Sequence, residues 1–276
     1  MLIKDCHVWS FLFLQGGKNN MIKNFIVDRV VRGNMYSRGN NELLWSLNQI
    51  QSPSLSMESE TVDAVDALGT PIMTFDRSKS CTFSAENAIF DLQLLGQQMG
   101  TEAKTEERTI PVFESQDVTA DRTVVLDKTP AEGTVQYVYV LGSDGSIGDV
   151  QFSIEAEDET KRFSISDNVI TMPTSVEPGT TVFVSYEYVG KATYVVNKAT
   201  DFPKAGKFVM EVLGRDVCDP TTEVFAYLVL PNAKLSASTE ISFETEMTQG
   251  FELTAQQDYC SKYNELFVLI IPEDEE

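Results

Sequence analysis

Leu235-Ser-Ala-Ser-Thr-Glu-Ile-Ser-Phe-Glu-Thr-Glu-Met247 changes side-chain character at nearly every step. Leu235, Ala237, Ile241, Phe243 and Met247 share one parity; Ser236, Ser238, Glu240, Ser242, Glu244 and Glu246 share the other. A period of two sends successive side chains to opposite faces of a strand. The spacing therefore predicts a strand that, at ~3.3 Å per residue, would span about 43 Å. One face is apolar and asks for a core behind it. The other is Ser/Glu, with no Lys or Arg to offset its charge, and asks for water.

Working outward, the chain is globular in composition and unusual in charge. Its 276 residues are 42% hydrophobic with 16 Phe and 9 Tyr, ample for one large or two moderate cores. The formal net charge of −21 argues against a nucleic-acid groove or an anionic membrane surface as partner of the whole molecule. The charge is uneven. Lys4, Lys18, Lys23, Arg29, Arg32 and Arg38 face only Asp5 and Asp28 in the first forty residues. A basic arm on an acidic body can dock on a neighbouring copy; the plainer alternative is a solvated N-terminus.

His7–Leu14 is apolar but shorter than the ~20 residues that cross a bilayer, and it lacks a signal-peptide cleavage pattern. Gln15-Gly-Gly-Lys18 closely before Met21 reads as a translated purine-rich ribosome-binding site. Residues 1–20 are thus expected to be an upstream extension, with Met21 the natural start. The only histidine, His7, falls in that segment, as does Cys6. Cys81, Cys218 and Cys260 form no C-x-x-C pair, so neither structural zinc nor a disulfide framework is expected, and folding in a reducing cytoplasm is.

Along the chain, residues 21–53 read as an irregular arm ending in a short helical or extended piece at Glu42–Ile50. Ser54–Val62 alternates as a strand. Thr70–Asp76 and Lys79–Ser84 read as two strands joined at Asp76-Arg77-Ser78. Ala85–Met99 has helical periodicity with Ser84 and Asn87 as cap candidates and Gly100 as its stop. Residues 101–108 are charged linker. From 109 to 200, short strands separated by Ser143-Asp-Gly-Ser146, Asp167-Asn168 and Glu177-Pro-Gly179 predict a small β-sandwich. Residues 201–276 form a last β block whose Leu266–Ile271, continuously apolar, reads as a strand buried on both faces.

Catalytic signatures are missing. The chain has no G-x-S-x-G, Walker A, H-E-x-x-H or G-x-G-x-x-G, and with its one histidine, His7, in the expected upstream extension a Ser or Cys nucleophile lacks its usual base. Glu58/Glu60 or Glu240/Glu244 are carboxylate pairs of the kind glycosidases use, but glutamate on alternate strand positions is more simply a wet face. Asp63, Asp66 and Asp144-Gly145 fall short of a calcium loop and suit turns. The reading is no enzyme, no cofactor and no metal.

Asp63-Ala-Val-Asp-Ala-Leu-Gly-Thr-Pro-Ile-Met-Thr-Phe-Asp-Arg-Ser-Lys79, followed by Cys81-Thr-Phe-Ser-Ala-Glu-Asn-Ala-Ile-Phe90, resembles tailed-bacteriophage tail tube (major tail) proteins. So does the ending, with Lys207–Asp216, Tyr227–Lys234, the alternating stretch and Phe251–Ala255. The likeness covers about 54–108 and 201–276, leaving 109–200 as an inserted accessory domain. It implies a mainly β, antiparallel β-sandwich that forms a barrel between copies, with one flanking α-helix. It further implies a virion structural protein made in the host cytoplasm, whose copies form stacked, six-membered rings around a DNA conduit and meet tape measure and tail terminator proteins. DNA would be present only in transit, and no membrane is involved. Glu58, Glu60, Glu240, Glu244 and Glu246 become candidate lumen residues, with an acidic outer surface as the alternative; Lys23, Arg29, Arg32 and Arg38 become a candidate inter-ring arm. The competing class is an Ig-like adhesion or decoration module whose 109–200 domain binds a host glycan or protein.

Overall fold

A computed structural model describes residues 24–272 except Asp219, Ser242, Glu246 and Cys260. His7, Cys6, Lys23, Glu246 and the expected 1–20 extension therefore lie outside the described residues. In chain order the elements are β1 (Phe25–Ser37), β2 (Leu43–Leu47), β3 (Ile50–Val65), β4 (Pro71–Asn87), α1 (Leu92–Gln98), β5 (Lys104–Asp117), β6 (Thr123–Val125), β7 (Tyr137–Leu141) and β8 (Ile147–Ser153). They continue with β9 (Ser164–Ser166), β10 (Val169–Thr171), β11 (Thr181–Tyr194), β12 (Ala205–Asp216), β13 (Glu223–Leu235), β14 (Gln249–Ala255) and β15 (Val268–Ile270). The fold is mainly β with antiparallel sheets, one α-helix among the described residues, and no closed barrel.

The described residues divide into two units, residues 24–101 with 197–272 and residues 102–196. In the first, one sheet runs β2-β1-β12-β13-β14-β4-β3, with β15 added on β13. Its core is a cluster of four rings, each from a different strand: Trp45, Phe83, Phe208 and Phe251. Their centroids lie 5.1 Å apart for Phe83–Phe208 and 5.6 Å for Trp45–Phe251, in the tilted and edge geometries that ring quadrupoles favour. Gly33 faces this cluster because nothing larger fits: a Cβ there would lie 2.5 Å from Ile50 Cδ1 and 3.2 Å from the Phe208 ring.

α1 is short and closed at both ends. Asp91 accepts a hydrogen bond from Leu94 N at 2.8 Å, and at the far end Thr101 N reaches Gly96 O at 2.8 Å while Gly100 adopts φ +72°. Two buried glutamines tie the helix to β14: Gln98 Nε2 donates to Gly250 O at 2.9 Å, and Gln249 Oε1 accepts from Asp91 N at 2.8 Å. The expected helix from Ala85 starts instead at Leu92. Cys81, Phe83, Ala85 and Asn87 are buried at every second position, so the strand period wins through Asn87, and Ile89 is exposed.

Other expectations change for equally local reasons. The 21–53 arm contains β1 and β2, because β1 pairs with β12 along its length. Asp76-Arg77-Ser78 is a bulge inside one continuous β4, where Glu60 pairs with Ser78 and Thr61 with Asp76, leaving Arg77 extra. The reversal lies at Asp66–Gly69. The 235–247 strand is overturned: β13 ends at Leu235, and the stretch is the connection between β13 and β14, anchored by Ser236 N on Glu252 O and a lone bridge from Ile241 to Gln249. Phe243 is 87% exposed, so no core lies behind its apolar parity. Leu266–Ile271 forms only β15, with Leu269 and Ile270 exposed rather than buried on both faces. The 101–108 linker is the start of β5, held by register with β11 from Lys104 opposite Tyr194.

The second unit is a sandwich. A four-stranded sheet, β5-β11-β7-β8, and a three-stranded one, β6-β10-β9, share a core that includes Val138, Val182, Val184 and Phe152 from the first and Val124 and Ile170 from the second. Tyr186 is buried there, its hydroxyl accepting from Lys128 N at 3.0 Å. Burial raises the pKa of its phenol.

Candidate functional site: an acidic sheet face and a projecting ribbon

The alternation sought in 235–247 is realised in β3 and β4. Leu55 and Met57 pair with Phe83 and Cys81 on the core side, so the intervening positions share the opposite face. That face carries Ser54, Ser56, Glu58 and Glu60 on β3, opposite Ser84, Thr82, Ser80 and Ser78. It extends through Glu86 to β14, where Glu252 sits opposite Ser84. Hydroxyls and carboxylates occupy it, with the Gln51 amide opposite Glu86; Lys79, opposite Ser59, falls on the other face. Ser78 Oγ donates to Glu60 Oε2 at 3.1 Å.

Glu240 joins this surface by another route. The connection after β13 folds beside β14, and Glu86, Glu240 and Glu252 line one groove of about 440 Å³. By register Glu58, Glu60, Glu86 and Glu252 share one sheet face, and Glu240 meets Glu86 and Glu252 in the groove, which Glu58 and Glu60 do not line. Glu244 is exposed in the β13–β14 connection. Spacing alone does not reveal Glu86, which falls within the helical periodicity of Ala85–Met99, or Glu252, which stands alone in its strand.

Beyond Cys81 the β3–β4 pair leaves the core. From Glu58 to Ser80 every residue is exposed. Val62 pairs with Phe75 and Ala64 with Met73, forming an apolar pad on the ribbon, and Leu68 at the turn is 91% exposed. The turn is built by Asp66, whose Oδ1 accepts from Leu68 N and Thr70 N, both at 2.8 Å, with Gly69 at φ +83°. Those backbone donors, Thr70 first, lower the Asp66 pKa. A two-stranded ribbon is marginal by itself in water, so this one gains from a surface to lie on.

The basic residues divide. Arg32 Nε meets Glu211 Oε2 at 3.0 Å, and the Tyr227 hydroxyl donates to Glu211 Oε1 at 3.0 Å, a row across β1, β12 and β13. That hydrogen bond to Glu211, before burial, raises the Tyr227 pKa. Arg38 meets Asp258 at 2.8 Å. Arg32 and Arg38 thus hold carboxylates of their own chain. Arg29 pairs only loosely with adjacent Asp28, at 3.4 Å and exposed.

Among the described residues no three His, Cys, Asp or Glu side chains are grouped to hold a metal ion, and no helix is long and apolar enough to cross a membrane. No curated protein matches the chain by sequence. The model of the YomU/Tube protein family matches residues 24–262, which takes in both units and every surface described above. The chain belongs to that family of phage tail tube proteins.

Proposed function

We propose that this tail tube protein assembles with copies of itself into stacked rings, expected to hold six subunits, around a channel through which DNA passes. The acidic Ser/Glu face of β3, β4 and β14 is the channel wall. Its composition is the observation that carries the reading: a conduit must carry a polyanion without gripping it, and Glu58, Glu60, Glu86, Glu240 and Glu252 repel phosphate while the hydroxyls keep the wall wet. Glu244, on the same connection as Glu240, extends that wall.

Two further observations support self-assembly. The sheet ends in β3 on one side, and on the other β2 covers β1 only from Gly33 to Tyr36, leaving the backbone edge of Phe25–Arg32 without a strand partner among the described residues. Such edges are normally blunted or paired, and ring closure pairs them. The ribbon, with its pad of Val62, Met73 and Phe75, reaches the next ring. Arg29 adds a basic contact to the acidic body of a neighbour, Arg32 and Arg38 being engaged within their own chain. Tape measure and tail terminator proteins then meet the tube ends in the virion.

Electron microscopy of the purified full chain tests the proposal. Hollow rings or tubes are expected; persistent monomers at high concentration, also with tail components present, would overturn it. Glu58, Glu60 and Glu252 changed together to Lys should leave tubes intact and slow DNA ejection. Unimpaired ejection removes these residues from the wall.

A further inference from the structure

The outer face of the four-stranded sheet in the second unit carries aromatic rings where a solvated sheet face normally carries charge. Val112, Val138, Val182, Val184 and Phe152 point into the core, so Phe113, Phe183, Tyr137 and Tyr139 share the opposite face. Phe183 sits between Ser115 on β5 and Tyr139 on β7, and Phe113 lies opposite Ser185. The Phe113 and Phe183 rings are parallel to within 3° with centroids 6.5 Å apart; Tyr137 and Tyr139 are also 6.5 Å apart. Phe113 is 69% exposed and Tyr137 43%. The rings occupy three adjacent strands, so the platform is about 10 Å wide across the strands.

Beside it lies a cleft of about 580 Å³. Tyr137 belongs to both, and so does Ser153, opposite it on β8. The cleft adds Glu132, Gln136, Glu155 and Asp167, side chains that accept or exchange hydrogen bonds with hydroxyls, and none of its lining residues is Lys or Arg.

We propose that this platform and cleft bind a neutral polysaccharide. The C–H-bearing face of a sugar ring stacks on the electron-rich face of an aromatic ring, and its hydroxyls then meet the carboxylates and amide of the cleft. Charge selects the occupant. Residues 102–196 hold seventeen acidic and seven basic side chains, which disfavours an anionic polymer and equally a second copy of the same domain. Around the rings stand Ser115, Ser185, Gln151 and Ser153, neutral hydrogen-bonding groups that suit the hydroxyls of a sugar.

The test is a glycan array of neutral glucans, galactans and mannans beside anionic polysaccharides, probed with the full-length protein and with the Phe113→Ala and Tyr137→Ala variants. Both side chains lie on the solvent face, and circular dichroism checks that each variant is folded. Binding to a neutral glycan is expected, weakened about tenfold or more by each substitution. Failure of every neutral glycan to bind, binding of anionic polymers only, or binding unchanged in both variants would each overturn the proposal. None of these outcomes bears on tube assembly, which is read separately.

Discussion

Replacing Phe75 by Ser isolates the role of the ribbon. Phe75 is 45% exposed on a part of the β3–β4 pair that touches nothing of its own core, and its cross-strand neighbour is Val62. A fully buried Phe removes about 200 Å² from water, so covering the exposed fraction in an assembly removes roughly 90 Å² more. At ~25 cal/mol per Å² that contact contributes about 2 kcal/mol, roughly thirtyfold in an association constant. The monomer loses the cross-strand pair and the exposed stacking of the Arg77 guanidinium over the ring at 5.9 Å, together about 1 kcal/mol, and its Tm should move by no more than about 4 °C. The assay is sedimentation across a concentration series, reading the concentration at which polymer first pellets, with circular dichroism on the soluble fraction. That concentration should rise roughly thirtyfold for Phe75→Ser. An unchanged threshold with a folded monomer would refute the ribbon as an assembly contact.

Phe208 is fully buried among Trp45, Phe83 and Phe251, so Phe208→Ala should cost about 3–5 kcal/mol in urea unfolding of the monomer. Gly100→Ala forces an L side chain to φ +72° and puts a Cβ 2.5 Å from the Phe202 backbone; it should lower Tm clearly, whereas Gly69→Ala, with φ +83° but open space, should cost about 1 kcal/mol. Asp66 has a folded pKa below its unfolded one, so its contribution to the turn is present above the ordinary Asp value and is lost as pH falls through the lowered value. Hydrogen exchange at Leu68 and Thr70 should therefore show their protection falling upon acidification through that range, and Asp66→Asn should remove the pH dependence.

The class of fold was legible in the sequence because alternation and turn residues are local. Asp167-Asn168 does separate β9 from β10, and Ser143–Ser146 does lie between β7 and β8. What misled was partner availability. The 235–247 stretch has the period of a strand, but a strand also needs a neighbour to hydrogen-bond, and here β14 returns at Gln249 to pair with the end of β13. The same Ser/Glu alternation in β3 has β4 beside it for its whole length, so there it becomes structure. Asp76-Arg77-Ser78 carries turn residues, yet a bulge uses the same chemistry without reversing the chain. The acidic face was half visible: Glu58 and Glu60 declare themselves by spacing, while Glu86 and Glu252 come beside them only through register.

If copies of this chain enclose a channel lined by the β3–β4–β14 face, that face points inward in the assembled tube. An electron cryomicroscopy reconstruction of the assembled full-length protein measures this directly. A hollow tube is expected, with Glu58, Glu60 and Glu252 on its inner wall and the ribbon against a neighbouring copy. A tube whose inner wall is built from another surface, with these glutamates facing outward, would contradict it.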